Sequence, residues 1–248
     1  MNSAAPGGEG VGLSVVIPAY NEAGRIVERL RAAHAWLAGQ VPGTEVVVVD
    51  DGSSDGTAGV VERLELPGVR VERLERNRGK GAALRRGVAV TSGRVVLTCD
   101  ADFSTPISEV AAVFAALEAG ADVVIASREH PGTRIPADQN RLRKELGRTF
   151  NRCVRLLTGL EFSDTQCGFK GFRGAVARAV YAGARIDGFA TDVEVLVIAR
   201  AQGARVVEIP VEWSHVEQSR VRLLRHPAQM LRDLMRVAVA ARLGRYRG

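Results

Sequence analysis

Residues 45–57 read Glu-Val-Val-Val-Val-Asp-Asp-Gly-Ser-Ser-Asp-Gly-Thr, four valines running straight into acids, serines and glycines. An unbroken β-branched run suits a strand buried on both faces, because a half-exposed strand would alternate. The polar cluster that follows places Asp50, Asp51 and Asp55 where such a strand leaves its sheet. Working outward, similar short apolar runs stand at 13–18, 69–74, 95–99 and 123–126. Helical patterns separate them at 22–37, 55–64 and 80–91, the first with Ile26, Leu30, Ala33 and Leu37 on one stripe. This alternation predicts an α/β fold, a mostly parallel doubly wound sheet covered by helices on both sides.

The pattern changes after Arg128. Residues 130–139 read as a loop, 140–157 as an Arg-rich amphipathic helix, and 164–174 as a turn-rich stretch. A helix over 192–202 and a strand over 205–213 follow. The expected division is a flexible start over 1–12, one domain over 13–220 and a basic amphipathic helical tail over 221–248. That tail would lie in the interface of an anionic membrane, pack on its own domain, or bury itself in a second copy within a homo-oligomer.

With 46% hydrophobic and 25% charged residues, the composition is that of a soluble globular chain. A net charge of +6 favours anionic partners. Nucleic acid is disfavoured among them, because the arginines are interleaved with acids and strand-end carboxylates would repel it. The three cysteines are too widely spaced for a disulfide framework or a Cys-x-x-Cys metal pair, which fits a reducing cytoplasm. No apolar run approaches the ~20 residues of a membrane span, and residues 1–12 carry no signal-peptide pattern. The expectation is a cytoplasmic protein, at most peripheral on the membrane.

In an open parallel sheet, ligands bind beyond the carboxyl ends of the strands. The polar clusters fall there: Pro18-Ala-Tyr-Asn-Glu22, the acids from Asp50, Asp100-Ala-Asp102 and Ser127-Arg128. Asp55 serves equally well as a helix cap. Two carboxylates at the end of a buried strand repel each other and are costly to desolvate without a cation between them. Oxygen ligands suit Mg²⁺ or Mn²⁺, bridging to substrate phosphates. Asn77-Arg-Gly-Lys-Gly81 lacks the third glycine of a dinucleotide fingerprint and the ending of a P-loop. It still offers Lys80 and helix-start amides to a phosphate, or else a capped helix with solvated charges. No Ser-His-Asp set stands out, and the four histidines have no metal spacing, which argues against covalent catalysis and zinc.

The stretches Val15-Val-Ile-Pro-Ala-Tyr-Asn-Glu22, Val48-Val-Asp-Asp-Gly-Ser-Ser-Asp-Gly-Thr57, Asn77-Arg-Gly-Lys-Gly81 and Asp100-Ala-Asp102 together resemble the family 2 glycosyltransferases. Within that family, Asp164-Thr-Gln-Cys-Gly-Phe-Lys170, Asp192-Val-Glu-Val195 and Pro210-Val-Glu-Trp213 with Ser219-Arg220 resemble the dolichyl-phosphate β-glucosyltransferase branch. The resemblance implies the nucleotide-sugar-binding GT-A fold. It also implies that Pro18, Tyr20, Glu22 and Asp51 hold the base and ribose of a donor. Asp100 and Ala101 would line the ribose-diphosphate path, and Asp102, with Asp100 beside it, would hold the metal. Arg128, Arg143 and Arg220 match basic positions that meet donor or acceptor phosphates, while Asp164, Gln166, Gly168 and Lys170 would shape the sugar and acceptor side. Gln218 departs from the glycine usual before Ser219, and no counterpart is read of the membrane helices that many relatives carry at one end.

The implied reaction is inverting, Mg²⁺- or Mn²⁺-dependent transfer of a hexose, glucose favoured, from a nucleotide sugar to polyprenyl or dolichyl phosphate. UDP-glucose is the favoured donor and GDP-mannose the alternative. A transferase acting on a small hydroxyl is the nearest rival; it would need a base, with Asp192 or Glu194 as candidates. A non-catalytic basic binding module is the more distant rival.

Overall fold

The computed structural model describes residues 11–134, 141–214 and 226–246, without the side chains of 141–144 and 226–227. The strands are β1 (Leu13–Ala19), β2 (Glu45–Asp50), β3 (Val69–Arg73), β4 (Val95–Thr98), β5 (Val123–Ser127), β6 (Lys170–Arg173) and β7 (Val206–Pro210). They form one sheet in the order β3-β2-β1-β4-β6-β5-β7. Every pairing is parallel except those of β6, which runs antiparallel between β4 and β5. The helices are α1 (Ile26–Gln40), α2 (Thr57–Glu62), α3 (Lys80–Ala89), α4 (Val110–Glu118), α5 (Arg141–Thr158), α6 (Gly174–Gly183), α7 (Thr191–Ala201) and α8 (His226–Arg242).

The four valines of β2 show why the sheet is doubly wound. Val46 and Val48 pack into one apolar layer with the α1 stripe of Ile26, Leu30, Ala33 and Leu37. Val47 and Val49 pack into the opposite layer with Leu84 and Val88 of α3 and with residues of α6, α7 and α8. Burial of each valine contributes ~1.5–3 kcal/mol, so the run is stable only with helices on both faces.

Three features differ from the sequence reading. β3, expected to be buried on both faces, is an edge strand and half exposed. β6 lies inside the stretch read as turns, because Lys-Gly-Phe-Arg carries neither alternation nor a β-branched run. Helices α4 and α6 were not read at all. The segment drawn as a tail includes α8, whose Leu234 and Val237 are fully buried, while Tyr246 beyond it donates its hydroxyl to Glu194 at 2.8 Å. Among the described residues no helix is long and apolar enough to cross a membrane.

Candidate active site

From β1 the chain winds to β2 and β3 on one side, then returns to β4 on the other. The loops beyond β1 and β4 therefore part at a switch point, the place where such sheets bind ligands. The β1 and β2 loops are laced together. The Asn21 amide donates to Ser53 Oγ at 2.8 Å, Ser54 N to Asn21 Oδ1 at 2.9 Å, and Glu22 N to Thr57 Oγ1 at 2.8 Å. Asp55 accepts from Ala23 N and Thr57 N, so its work here is structural. Asp51 accepts the amides of Arg78 and Gly79, both at 2.8 Å, and fastens the start of α3 to the end of β2. Burial pushes its carboxyl up, and those two amides only partly offset this. Gly52 is left-handed (φ 67°), and a Cβ there would lie 2.4 Å from the backbone of Arg76, which only glycine permits.

Beyond β4, Asp100 to Phe103 make a tight turn. Phe103 N donates to Asp100 O at 3.0 Å, and Phe103 takes a left-handed φ of 46°. Arg29 of α1 donates to Asp102 O at 3.0 Å and Ser104 N to Asp102 Oδ1 at 3.0 Å. The Asp102 carboxylate also lies close enough to Arg25 for its charge to favour the guanidinium.

A line of alternating charge runs inward from this turn. Lys80 Nζ stands 2.9 Å from Asp100 Oδ1 and 2.9 Å from Asp192 Oδ2. Asp192 Oδ1 in turn accepts from Lys170 Nζ at 2.6 Å, and Lys170 also donates to Cys167 O. The Asp100 side chain is 44% exposed and Lys170 is 0% exposed, so the line leads from the cleft into the core. Burial would lower the Lys80 pKa, but Asp100 and Asp192 outweigh it and keep the ammonium charged.

At the end of β5, Arg128 grips Asp164 through Nε (2.6 Å) and Nη2 (3.0 Å) and lies over the Trp213 ring at 5.9 Å. Its side chain is 30% exposed, and the guanidinium also feels the charge of Asp100. The Asp164 loop is itself anchored, since Ser163 N and Asp164 N donate to Glu208 Oε1 at 2.7 and 3.0 Å.

Two predictions arise from this geometry. Gly168 lies against Asp100, and a Cβ there would fall 2.2 Å from Asp100 Oδ2. Gly168→Ala must therefore push the carboxylate off Lys80. We expect ~1–3 kcal/mol of lost stability and at least a tenfold fall in kcat, on the order of 1.4 kcal/mol of barrier; unchanged kcat would show that the Asp100–Lys80 contact is dispensable. The second concerns pH. Burial pushes the Asp164 carboxyl up, but the charge and hydrogen bonds of Arg128 prevail and hold it at about 2. A carboxylate depressed on folding stabilises above its unfolded pKa, near ~4, and the contribution fades as pH falls towards about 2. It amounts to on the order of 2 kcal/mol. Denaturation followed across that window should show an acid limb in the native chain that Asp164→Asn flattens, with lower stability at neutral pH.

The structure gathers Pro18, Tyr20, Asp51, Asp100, Ala101, Asp102, Arg128, Asp164, Gln166 and Gly168 in loops and strand ends along this carboxyl edge, with Lys80 at the start of α3. Tyr20 is exposed, whereas the Glu22 carboxylate is buried and taken up by Arg25. Arg143 lies in α5 with its side chain undescribed, and Arg220 lies outside the described residues. Lys170 requires a correction. It was expected to face sugar or acceptor, but its ammonium is enclosed by Asp192 and Cys167 O and meets no cleft. Sequence reasoning missed Glu208 and the bracing role of Asp192. An acid at the buried start of α7 was the only available signal for the latter.

A mixed sheet of this order, with acidic loops at its carboxyl edge, is the architecture of the GT-A glycosyltransferases. The fold is shared with glucosyl-3-phosphoglycerate synthase from Mycobacterium tuberculosis in complex with UDP (TM-score 0.67, 20% identity, covering 93% of this chain and 79% of that one). Mannosyl-3-phosphoglycerate synthase from Rubrobacter xylanophilus is similar too (TM-score 0.66, 24% identity, 94% and 74% covered). The sequence model described as Glycosyl transferase family 2 matches residues 14–180, and the chain belongs to that family. It is similar to the dolichyl-phosphate beta-glucosyltransferases of Saccharomyces cerevisiae (32% identical, 96% of this chain and 78% of that protein) and Drosophila melanogaster (34%, 95% and 77%). The human protein of the same name is 32% identical, with 95% and 77% covered. The chain is a glycosyltransferase.

Proposed function

We propose that this enzyme transfers glucose from UDP-glucose to a polyprenyl or dolichyl phosphate with inversion, giving a β-linked product. The observation that carries this reading is the state of the two carboxylates that a hydroxyl acceptor would need as base. Both oxygens of Asp192 are held by lysines. Glu194 is fully buried and accepts from Arg185 N, Ile186 N and the Tyr246 hydroxyl. Neither is placed to take a proton. A phosphate acceptor is already an anion near neutral pH and needs no base. Relatives named for dolichyl phosphate and glucose support the same acceptor and sugar, and a fold neighbour solved with Mn²⁺ and UDP-glucose shows that this fold accommodates such a donor.

In this reading Pro18, Tyr20, Glu22 and Asp51 frame the base and ribose pocket, Glu22 by holding Arg25. An acceptor phosphate oxygen, oriented by Arg128 with Arg143 and Arg220, attacks the anomeric carbon. The bond from that carbon to the diphosphate oxygen breaks, and the nucleoside diphosphate leaves with the electron pair. Lys80 offsets charge on the departing diphosphate, Asp100 positions Lys80, and Asp164 fixes the guanidinium of Arg128. Among the described residues no three His, Cys, Asp or Glu are grouped to hold a metal. The carboxylates of Asp102 and of Asp100, whose side chain is 44% exposed, nonetheless suit Mg²⁺ or Mn²⁺, which bind one or two carboxylates and complete their shell from substrate phosphates and water. Asp102, with Asp100 beside it, would hold that ion, which when bound supplies charge neutralisation at the diphosphate. Residues 13–220 are the catalytic domain on this account, and 221–248 an accessory helical segment.

A donor screen tests the reading. With polyprenyl phosphate and Mn²⁺ or Mg²⁺, UDP release from UDP-glucose should exceed GDP release from GDP-mannose, and the isolated product should be the β anomer. An α-linked product would refute single displacement.

A further inference from the structure

Helix α8 carries two different faces. Asp233, Leu234, Val237 and Ala238 are buried against the domain. On the opposite side Leu231 (43% exposed), Met235 (49%) and Val239 (53%) follow one another at turn spacing, and Leu243 (61%) continues just past the helix. Large apolar side chains on successive exposed turns are costly in water and mark a contact surface. Beside them stand Arg232 and Arg236, with side chains 60% and 61% exposed, and the exposed Arg242. The one acid of the helix, Asp233, is buried beneath Arg232 and Arg236 and reaches solvent hardly at all. The outer face is therefore apolar and cationic, with no exposed carboxylate.

We infer that this face docks on an anionic lipid bilayer, its leucines, Met235 and Val239 in the acyl boundary and its arginines among the headgroups. Charge decides between the occupants. A second copy meeting this face would set arginine rows against one another, with no exposed acid on α8 to answer them. Nucleic acid would satisfy the arginines but leave the apolar row unpartnered. An anionic bilayer satisfies both. Helix α5 packs beside α8 and extends the character of the surface, with Leu156 83% exposed and Arg152 and Arg155 exposed near it. The base of α8 also adjoins the site, because Gly188, in the loop before α7 and Asp192, lies against Gln229 and Asp233. Docking here would bring the cleft close to a lipid surface. The inference concerns binding alone and stands apart from the acceptor assignment.

Flotation of the full chain with vesicles of phosphatidylcholine alone, or mixed with phosphatidylglycerol, tests it without turnover. The full chain should float with the anionic vesicles and not the neutral ones, less so in high salt. Met235→Glu with Val239→Glu, and separately Arg232→Gln with Arg236→Gln, should each weaken anionic binding by on the order of tenfold, with circular dichroism unchanged. No flotation with anionic vesicles, or flotation indifferent to both pairs, would overturn the inference. So would sedimentation showing a dimer that Met235→Glu dissociates, because a second copy would then own the face.

Discussion

Asp102→Asn is expected to lower kcat by ~100-fold or more with Mg²⁺ or Mn²⁺, while thermal unfolding stays near that of the native chain. The substitution removes one negative charge and leaves the turn in place. An asparagine oxygen can still accept from Ser104 N, as Asp102 Oδ1 does at 3.0 Å. Arg29 still holds the Asp102 carbonyl, and Phe103 N still reaches Asp100 O. What is lost is the carboxylate charge, which also acts on Arg25. Charge neutralisation by a bound divalent ion is worth several kcal/mol in such transfers, and ~3 kcal/mol is ~100-fold in rate. The loss should fall on kcat and not be recovered by more donor. Steady-state kinetics over a metal titration checks this, and native-like turnover in the folded variant would remove Asp102 from the metal site.

Lys80→Met should be at least as damaging to turnover and far more damaging to stability. Its ammonium bridges Asp100 and Asp192, each at 2.9 Å. Removing it leaves Asp192, whose side chain is 3% exposed, paired with Lys170 alone. Breaking a buried ion pair from one side costs ~3–5 kcal/mol, because a desolvated charge is left short of partners. Lys170→Met provides the control. It strips the same aspartate of its other lysine but leaves Lys80 at the cleft. Both variants should lose similar stability, read from denaturant midpoints, while Lys80→Met loses ~100-fold or more in kcat and Lys170→Met nearer tenfold. Equal kinetic losses would mean that Lys80 acts only as a brace.

These two sites differ in how legible they were. Asp102 could be found because a buried run, Val-Val-Leu-Thr-Cys, ends on Asp-Ala-Asp, and a strand end in a parallel sheet is where ligands bind. The α1 stripe and the strands β1, β2, β4 and β5 were legible for a similar reason, since local periodicity reports burial directly. The bracing of Lys80 was not legible. Asp192 lies 112 residues further along the chain, and only the insertion of β6 carries Lys170 up to it. β6 was invisible because its pattern is set by a buried lysine and by Gly171, whose missing side chain makes room for Val113. Lys170 itself looked like a ligand cation, since lysine is rarely buried without a partner, and that partner could not be seen in one dimension. Glu208 was missed likewise: it reads as one polar residue in a strand, yet it anchors the loop that aims Asp164 at Arg128.

The central claim is that the acceptor is an ionised phosphate needing no base. The most direct measurement compares UDP release from UDP-glucose with polyprenyl phosphate and with the matching polyprenyl alcohol, in the same detergent and metal. The account predicts turnover with the phosphate and none above background with the alcohol, and a selective rise in KM for the phosphate in Arg128→Ala that Arg128→Lys restores only in part, because a lysine lacks the guanidinium fork. Equal turnover with phosphate and alcohol would contradict it and return the site to an enzyme that deprotonates a hydroxyl.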